Sequence, residues 1–223
     1  MKTKLFSLKE IFPLIIILAM VLVSIGFYSA ACLPDRIPSH WNAAGEIDGY
    51  SSKAFTLIFY PALALGMYLL MIFLPLLDPL RKNYIKFKTP YYFIRLVLVA
   101  FFALLFFFSL AAGYGYQWNI KNLMIPAISL MIIAFGFILP KIEKNWFVGI
   151  RTPWTLGSDK VWQDTHKFGG KTFMLAGLLS FFTIFLPSEL AFGLFLAIIL
   201  VGTLSPVLYS YIVYRKLGLF KNK

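Results

Sequence analysis

Charged residues are missing from six long stretches of this chain, and their absence decides what it can fold into. No Asp, Glu, Lys or Arg occurs between Glu10 and Asp35, Lys53 and Asp78, Arg95 and Lys121, Lys121 and Lys141, Lys171 and Glu189, or Glu189 and Arg215. Each stretch is apolar and near the ~20 residues a helix needs to cross a bilayer. A water-soluble fold of 223 residues cannot bury six such faces. With 60% hydrophobic and 13% charged residues and a mean hydropathy of +0.80, there is no room for a separate soluble domain. Lipid offers no water to satisfy backbone polar groups, so the spans must be helices. The chain is read as all-α, a polytopic helical membrane protein with spans at 11–31, 54–77, 93–116, 122–140, 172–188 and 190–212.

The remaining charges fall on one side. The N-terminus, 78–92, 141–171 and the C-terminal tail hold seventeen Lys and Arg. The intervening segments hold only Arg36, Lys53 and Lys121, with Arg95 left at a span entrance. The positive-inside rule then places both termini in the cytoplasm of a multi-pass cell-membrane protein. The net charge of +12 follows from this sidedness, and no direct nucleic-acid contact is expected. The single cysteine, Cys32, excludes an internal disulfide and a cysteine-based metal cluster. The tract Ser29-Ala30-Ala31-Cys32 behind a basic N-terminus suggests a cleaved lipoprotein leader. The apolar run is long for that, and Ser29 stands where leucine is preferred, so the first run is read as a retained span. Two regions of one bundle are expected, 1–92 and 93–223.

Two connecting segments are too particular to be plain connectors. The outer one, 33–53, reads LPDRIPSHWNAAGEIDGYSSK. Pro34 and Pro38 bar a continued helix, Asn42 to Gly45 and Asp48-Gly49 are turn chemistry, and Trp41 and Tyr50 suit the headgroup level. A compact non-helical loop on the outer surface is predicted. Its polar set, Arg36, His40, Trp41, Asn42, Glu46, Asp48 and Lys53, makes either a recognition site or an ordered turn whose groups satisfy one another. One His with two carboxylates lacks a standard zinc spacing, so no metal is assigned.

The inner segment, 141–171, reads KIEKNWFVGIRTPWTLGSDKVWQDTHKFGGK. Pro153 pushes Thr152 out of the helical region. A short amphipathic helix is predicted next, with Ser158 as N-cap and Gly169 as C-cap. It would lie in the interface plane, with Val161, Trp162, Thr165 and Phe168 on one face and Lys160, Gln163, Asp164 and Lys167 on the other. Arg151, between Gly149-Ile150 and Pro153-Trp154, is expected to donate its fork of N–H groups to helix-end carbonyls or to Asp159 or Asp164.

Together these segments resemble the SdpI family of bacterial membrane immunity proteins. Asn145, Gly149, Arg151, Thr152, Pro153, Trp154, Thr155, Leu156, Val161 and Trp162 match its inner signature. Pro34, Ile37, Pro38, His40, Trp41, Asn42, Gly45, Asp48 and Lys53 are similar to a small domain of uncharacterised function that often precedes it. The resemblance implies protection against a secreted toxic peptide that collapses the membrane potential. It also implies capture of a small cytoplasmic repressor protein at the membrane.

Two other functions stay open. An uncoupled transporter or exporter of a lipid or peptide is one; coupled transport is disfavoured because Asp78, Arg95 and Glu189 are read at span ends only. A membrane enzyme acting on lipid-linked precursors is the other, but His40 and His166 fall on opposite sides. No nucleophile–base set appears within one layer, so no catalytic residue and no cofactor are expected.

Overall fold

A computed structural model describes residues 8–28 and 33–219. Lys2, Lys4, Cys32, Lys221 and Lys223, and with them the leader tract 29–32, lie outside the described residues. Six helices are long and apolar enough to cross a membrane: Leu8–Tyr28, Lys53–Leu77, Lys88–Gly113, Ile120–Lys141, Asp159–Phe185 and Ser188–Lys216, counting their 3-10 ends. Their α-helical parts are α1 (Ile11–Tyr28), α2 (Lys53–Leu77), α3 (Lys88–Gly113), α4 (Ile120–Ile138), α6 (Asp159–Phe182) and α7 (Ser188–Lys216). The one-turn α5 (Pro153–Gly157) sits in the connection before α6, and Arg36–Trp41 (β1) and Ile47–Ser52 (β2) form an antiparallel pair between α1 and α2.

The outer segment is thus a β-hairpin rather than an irregular loop. Arg36 faces Ser52 and Pro38 faces Tyr50, with the register broken around His40. Ile37 is buried and packs with Leu33 into the cluster formed by α1, α2 and α3. The hairpin is pinned to α3: Ser109 Oγ donates to the Pro38 carbonyl (2.6 Å) and Trp41 lies 5.1 Å from Phe108. Pairing across a turn satisfies main-chain groups that a wandering loop would leave to lipid and water.

The amphipathic stretch is not a separate helix lying in the interface. It forms the first three turns of α6, which continues without a break into the fifth span. Gly169 is mid-helix, not a C-cap, and its neighbour Gly170 closely approaches α4: a Cβ there would lie 2.6 Å from Pro140 Cγ and 2.9 Å from the Gly136 carbonyl oxygen. Such small-residue contacts let backbones meet where lipid supplies no hydrophobic drive. The Ser129 and Ser180 hydroxyls, 3.1 Å apart and buried, join the same two helices. The face holding Val161, Trp162 and Thr165 is therefore covered by protein instead of headgroups.

Candidate functional site

The most developed polar arrangement lies at the basic end, where 78–87 meets 142–158. Asn145, fully buried, organises the turn that follows it. Its Oδ1 accepts the amides of Phe147 (2.9 Å) and Val148 (2.7 Å), and its Nδ2 donates to the Glu143 and Val148 carbonyls, both at 2.9 Å. Asp78, also buried, ends α2 and reaches across: Oδ1 accepts Leu80 N–H (2.7 Å), while Oδ2 accepts Trp146 N–H (2.9 Å) and the Tyr84 hydroxyl (3.0 Å). Asn83 donates to the Lys144 carbonyl (2.7 Å). A carboxylate with three donors in a dry site ties two segments more than sixty residues apart. Asp78 was read only as a span-end charge, and Asn83 and Tyr84 were not singled out in the sequence, where they read as a polar connector.

Burial, and secondarily the bond to Asp78, holds the Tyr84 phenol well above its ordinary value. The folded protein keeps this proton where the unfolded chain begins to lose it, so the contribution is complete below pH ~10 and falls above it. Melting temperature should decline as pH rises past about 10, less steeply in Tyr84→Phe. Identical alkaline slopes for parent and variant would show that Tyr84 does not carry this linkage.

The loop is clasped from the other side by α6. Trp162 Nε1–H donates to the Ile142 carbonyl (2.8 Å), and the ring stacks on His166 with centroids 4.1 Å apart. His166, 1% exposed, accepts the Ile150 amide at Nε2 (3.1 Å) and lies 2.8 Å through Nδ1 from the Trp162 carbonyl. These partners assign the proton to Nδ1. His166 is a structural member that sequence reasoning missed; its signal is the four-residue spacing from Trp162. Gly149 adopts φ +109, and a Cβ there would lie 2.4 Å from His166 Nε2.

Thr152 caps α5, with Pro153 as first helical residue, in a reciprocal box with Thr155. Its hydroxyl lies 3.0 Å from that of Ser210, and Trp154 packs 5.1 Å from Tyr211, joining the motif to α7. Ser158 caps α6 as expected. Arg151 is exposed and donates from Nη1 to the Trp146 carbonyl (2.7 Å), a loop carbonyl rather than a helix end. The carboxylates foreseen for it are occupied, Asp159 by Lys144 and Asp164 by Lys160. One bond at an exposed site is within a lysine's reach, so Arg151→Lys should cost less than about 1 kcal/mol of stability. A larger loss in thermal melts would mean the guanidinium has work beyond this contact.

Arg95 is not at a span entrance. It lies two turns into α3, 5% exposed, bonded through Nη2 to Glu10 Oε1 and set 4.9 Å above the Tyr91 ring. Tyr68 donates to the other Glu10 oxygen (3.2 Å). This is a charge-matched ionisable pair inside the helical bundle, with Arg95 Nε buried and unpartnered among the described residues.

On the opposite face, His40 Nδ1 and Asp48 Oδ1 lie 2.5 Å apart on the hairpin, both accessible. Asn42 folds the tip, donating to Glu46 Oε2 (3.1 Å) and accepting the Glu46 amide (3.0 Å). Arg36 is exposed, whereas Trp41 is half-covered by Phe108, and Lys53 opens α2 with its amide on the Asp35 carbonyl (2.8 Å). The outer set is therefore divided: Arg36, His40 and Asp48 face outward, while Asn42 and Trp41 build the hairpin. Among the described residues no three His, Cys, Asp or Glu side chains are grouped to hold a metal ion.

Comparison with known proteins agrees with this architecture. Residues 141–210 match the SdpI/YfhL protein family, and residues 15–65 match a domain of unknown function (DUF1648). The chain is 26% identical over 210 residues to Immunity protein SdpI of Bacillus subtilis, covering 94% of this chain and 98% of that protein. No solved structure matches.

Proposed function

Taking the chain as a member of the SdpI family, we propose that it protects the cell against a secreted toxic peptide and captures a cytoplasmic repressor when that peptide is present. The observation that carries this reading is the similarity along nearly the whole chain to a protein named for immunity, across both distinctive segments. The hairpin supports the first role by presenting Arg36, His40 and Asp48 on the face opposite the basic segments. The positive-inside distribution supports an external position for that face, within reach of a peptide that has not crossed the bilayer. The basic face, with Arg151, Lys160 and Lys167 exposed, suits the second role.

Expression in a toxin-sensitive host tests the reading. His40→Ala and Asp48→Asn should lower survival under toxin at unchanged protein level. Lys160→Glu with Lys167→Glu should weaken repressor capture and spare survival. Each reversal also reduces attraction to anionic lipid by about 1 kcal/mol per charge removed, so membrane abundance is measured in the same cells. Unchanged survival with the hairpin variants, or lost survival with the inner pair at normal abundance, would overturn this division. Orientation is tested in a Cys32→Ala background: an impermeant thiol reagent applied to intact cells should label Ala43→Cys and not Gly157→Cys.

A further inference from the structure

Beside the clasped loop lies a cavity of about 220 Å³, lined by Ile94, Phe135, Ile138, Ile142, Val148 and Phe173 together with the Gly149-Ile150 backbone turn. It offers a ligand almost no polar surface, so water gains little there. Its level in the bundle follows from the chain. Ile94 is six residues into α3 and Phe135 six residues before Lys141, each about 9 Å from the basic end at 1.5 Å per residue. That is the acyl region of one leaflet, since the hydrocarbon core is about 30 Å thick.

Two lysines and one carboxylate flank it: Glu143, exposed, follows the lining residue Ile142. Lys141 stands between the lining residues Leu139 and Ile142, and Lys171 two residues before Phe173; both are exposed. The close approach of Gly170 to Pro140 brings these two lysines to the same level. Among the described residues neither joins an ion pair, whereas Lys144 and Lys160 do.

We propose that this cavity holds part of one acyl chain of an anionic phospholipid, drawn from the leaflet on the basic side, with its headgroup phosphate held by Lys141 and Lys171. A cavity smaller than the ~300 Å³ of ordinary ligand sites takes part of a chain rather than a whole molecule. The lysines supply the preference for an anionic headgroup. Held there, the lipid supports the Gly149 turn and links that loop to the composition of its leaflet.

The test uses the full chain in mild detergent, stripped of lipid and titrated with phosphatidylglycerol or phosphatidylcholine of identical chains, with bound lipids counted by native mass spectrometry. One phosphatidylglycerol should be retained in preference to phosphatidylcholine. Lys141→Gln and Lys171→Gln, both at exposed positions, should each lower phosphatidylglycerol affinity about 5-fold and phosphatidylcholine affinity by less, because the choline cation already offsets its phosphate. Val148→Phe, which fills the cavity, should displace both. Should that variant fail to fold, phosphatidylglycerol with a photoreactive acyl chain decides the location: it should label 135–150 and 173. Equal retention of the two lipids, an unchanged preference in the lysine variants, or labelling confined elsewhere overturns the proposal. So does a cavity that retains no lipid because an apolar side chain of a partner protein fills it.

Discussion

Arg95→Met should be among the most destabilising single substitutions in this protein, costing about 3–5 kcal/mol. It strands the Glu10 carboxylate, 4% exposed, with the Tyr68 hydroxyl as its remaining partner among the described residues. Glu10→Leu should cost a similar amount by leaving the guanidinium uncompensated, while Glu10→Gln keeps an acceptor and costs less. The double variant Glu10→Leu/Arg95→Met removes both charges and should recover most of the loss, because replacing a whole buried pair by apolar side chains is close to neutral. Thermal melts of the four purified proteins in one detergent form the cycle that measures this coupling. Single variants within about 0.5 kcal/mol of the parent would show that the pair is not sealed from water. The pair fastens the N-terminal end of the first span to α3, and α1 itself buries few residues: Pro13, Ile17 and Met20.

Gly149→Ala should be the most damaging change within the Gly-Ile-Arg-Thr-Pro-Trp run of residues 149–154, by two separable routes. A φ of +109 strains any L side chain by about 1–3 kcal/mol. The added Cβ would also lie 2.4 Å from His166 Nε2, displacing the ring that accepts the Ile150 amide. Losing that bond in a buried site adds about 1–3 kcal/mol. In a His166→Ala background the steric part disappears and the backbone strain stays, so the alanine should cost less there without becoming neutral. Equal cost in both backgrounds would assign the whole effect to the backbone. No cost in either would mean that the turn relaxes freely.

The two connecting segments, 33–53 and 141–171, were legible to different depths. Ser158 could be placed from a local rule because a cap is satisfied within three residues, and Thr152 could be read as extended because Pro153 restricts its neighbour, but its role as cap of α5 was not foreseen. The hairpin escaped because His40 and Pro38 break the strand alternation and the turn residues suit an irregular loop equally well. Arg151 was assigned a helix end or a carboxylate from its donor geometry, but its partner is a carbonyl five residues back. The amphipathic pattern over Val161 to Phe168 was real; what meets that face is protein, the 142–150 loop at Trp162 and His166 and α7 at Phe168, which stacks on Tyr209.

The six spans, and the sharing of one face by alternate connections, follow from the chain alone. Lipid cannot satisfy an open backbone or solvate a charge, so each uncharged run of sufficient length has a single solution. The pairings are another matter. Glu10 lies 85 residues from Arg95 and Asp78 lies 68 from Trp146, and periodicity holds no record of contacts between segments so far apart. Both acids border uncharged runs, where they look like ordinary flanking charges. Helix packing alone brings their partners within reach and excludes water, and exclusion of water turns a flanking charge into a clasp.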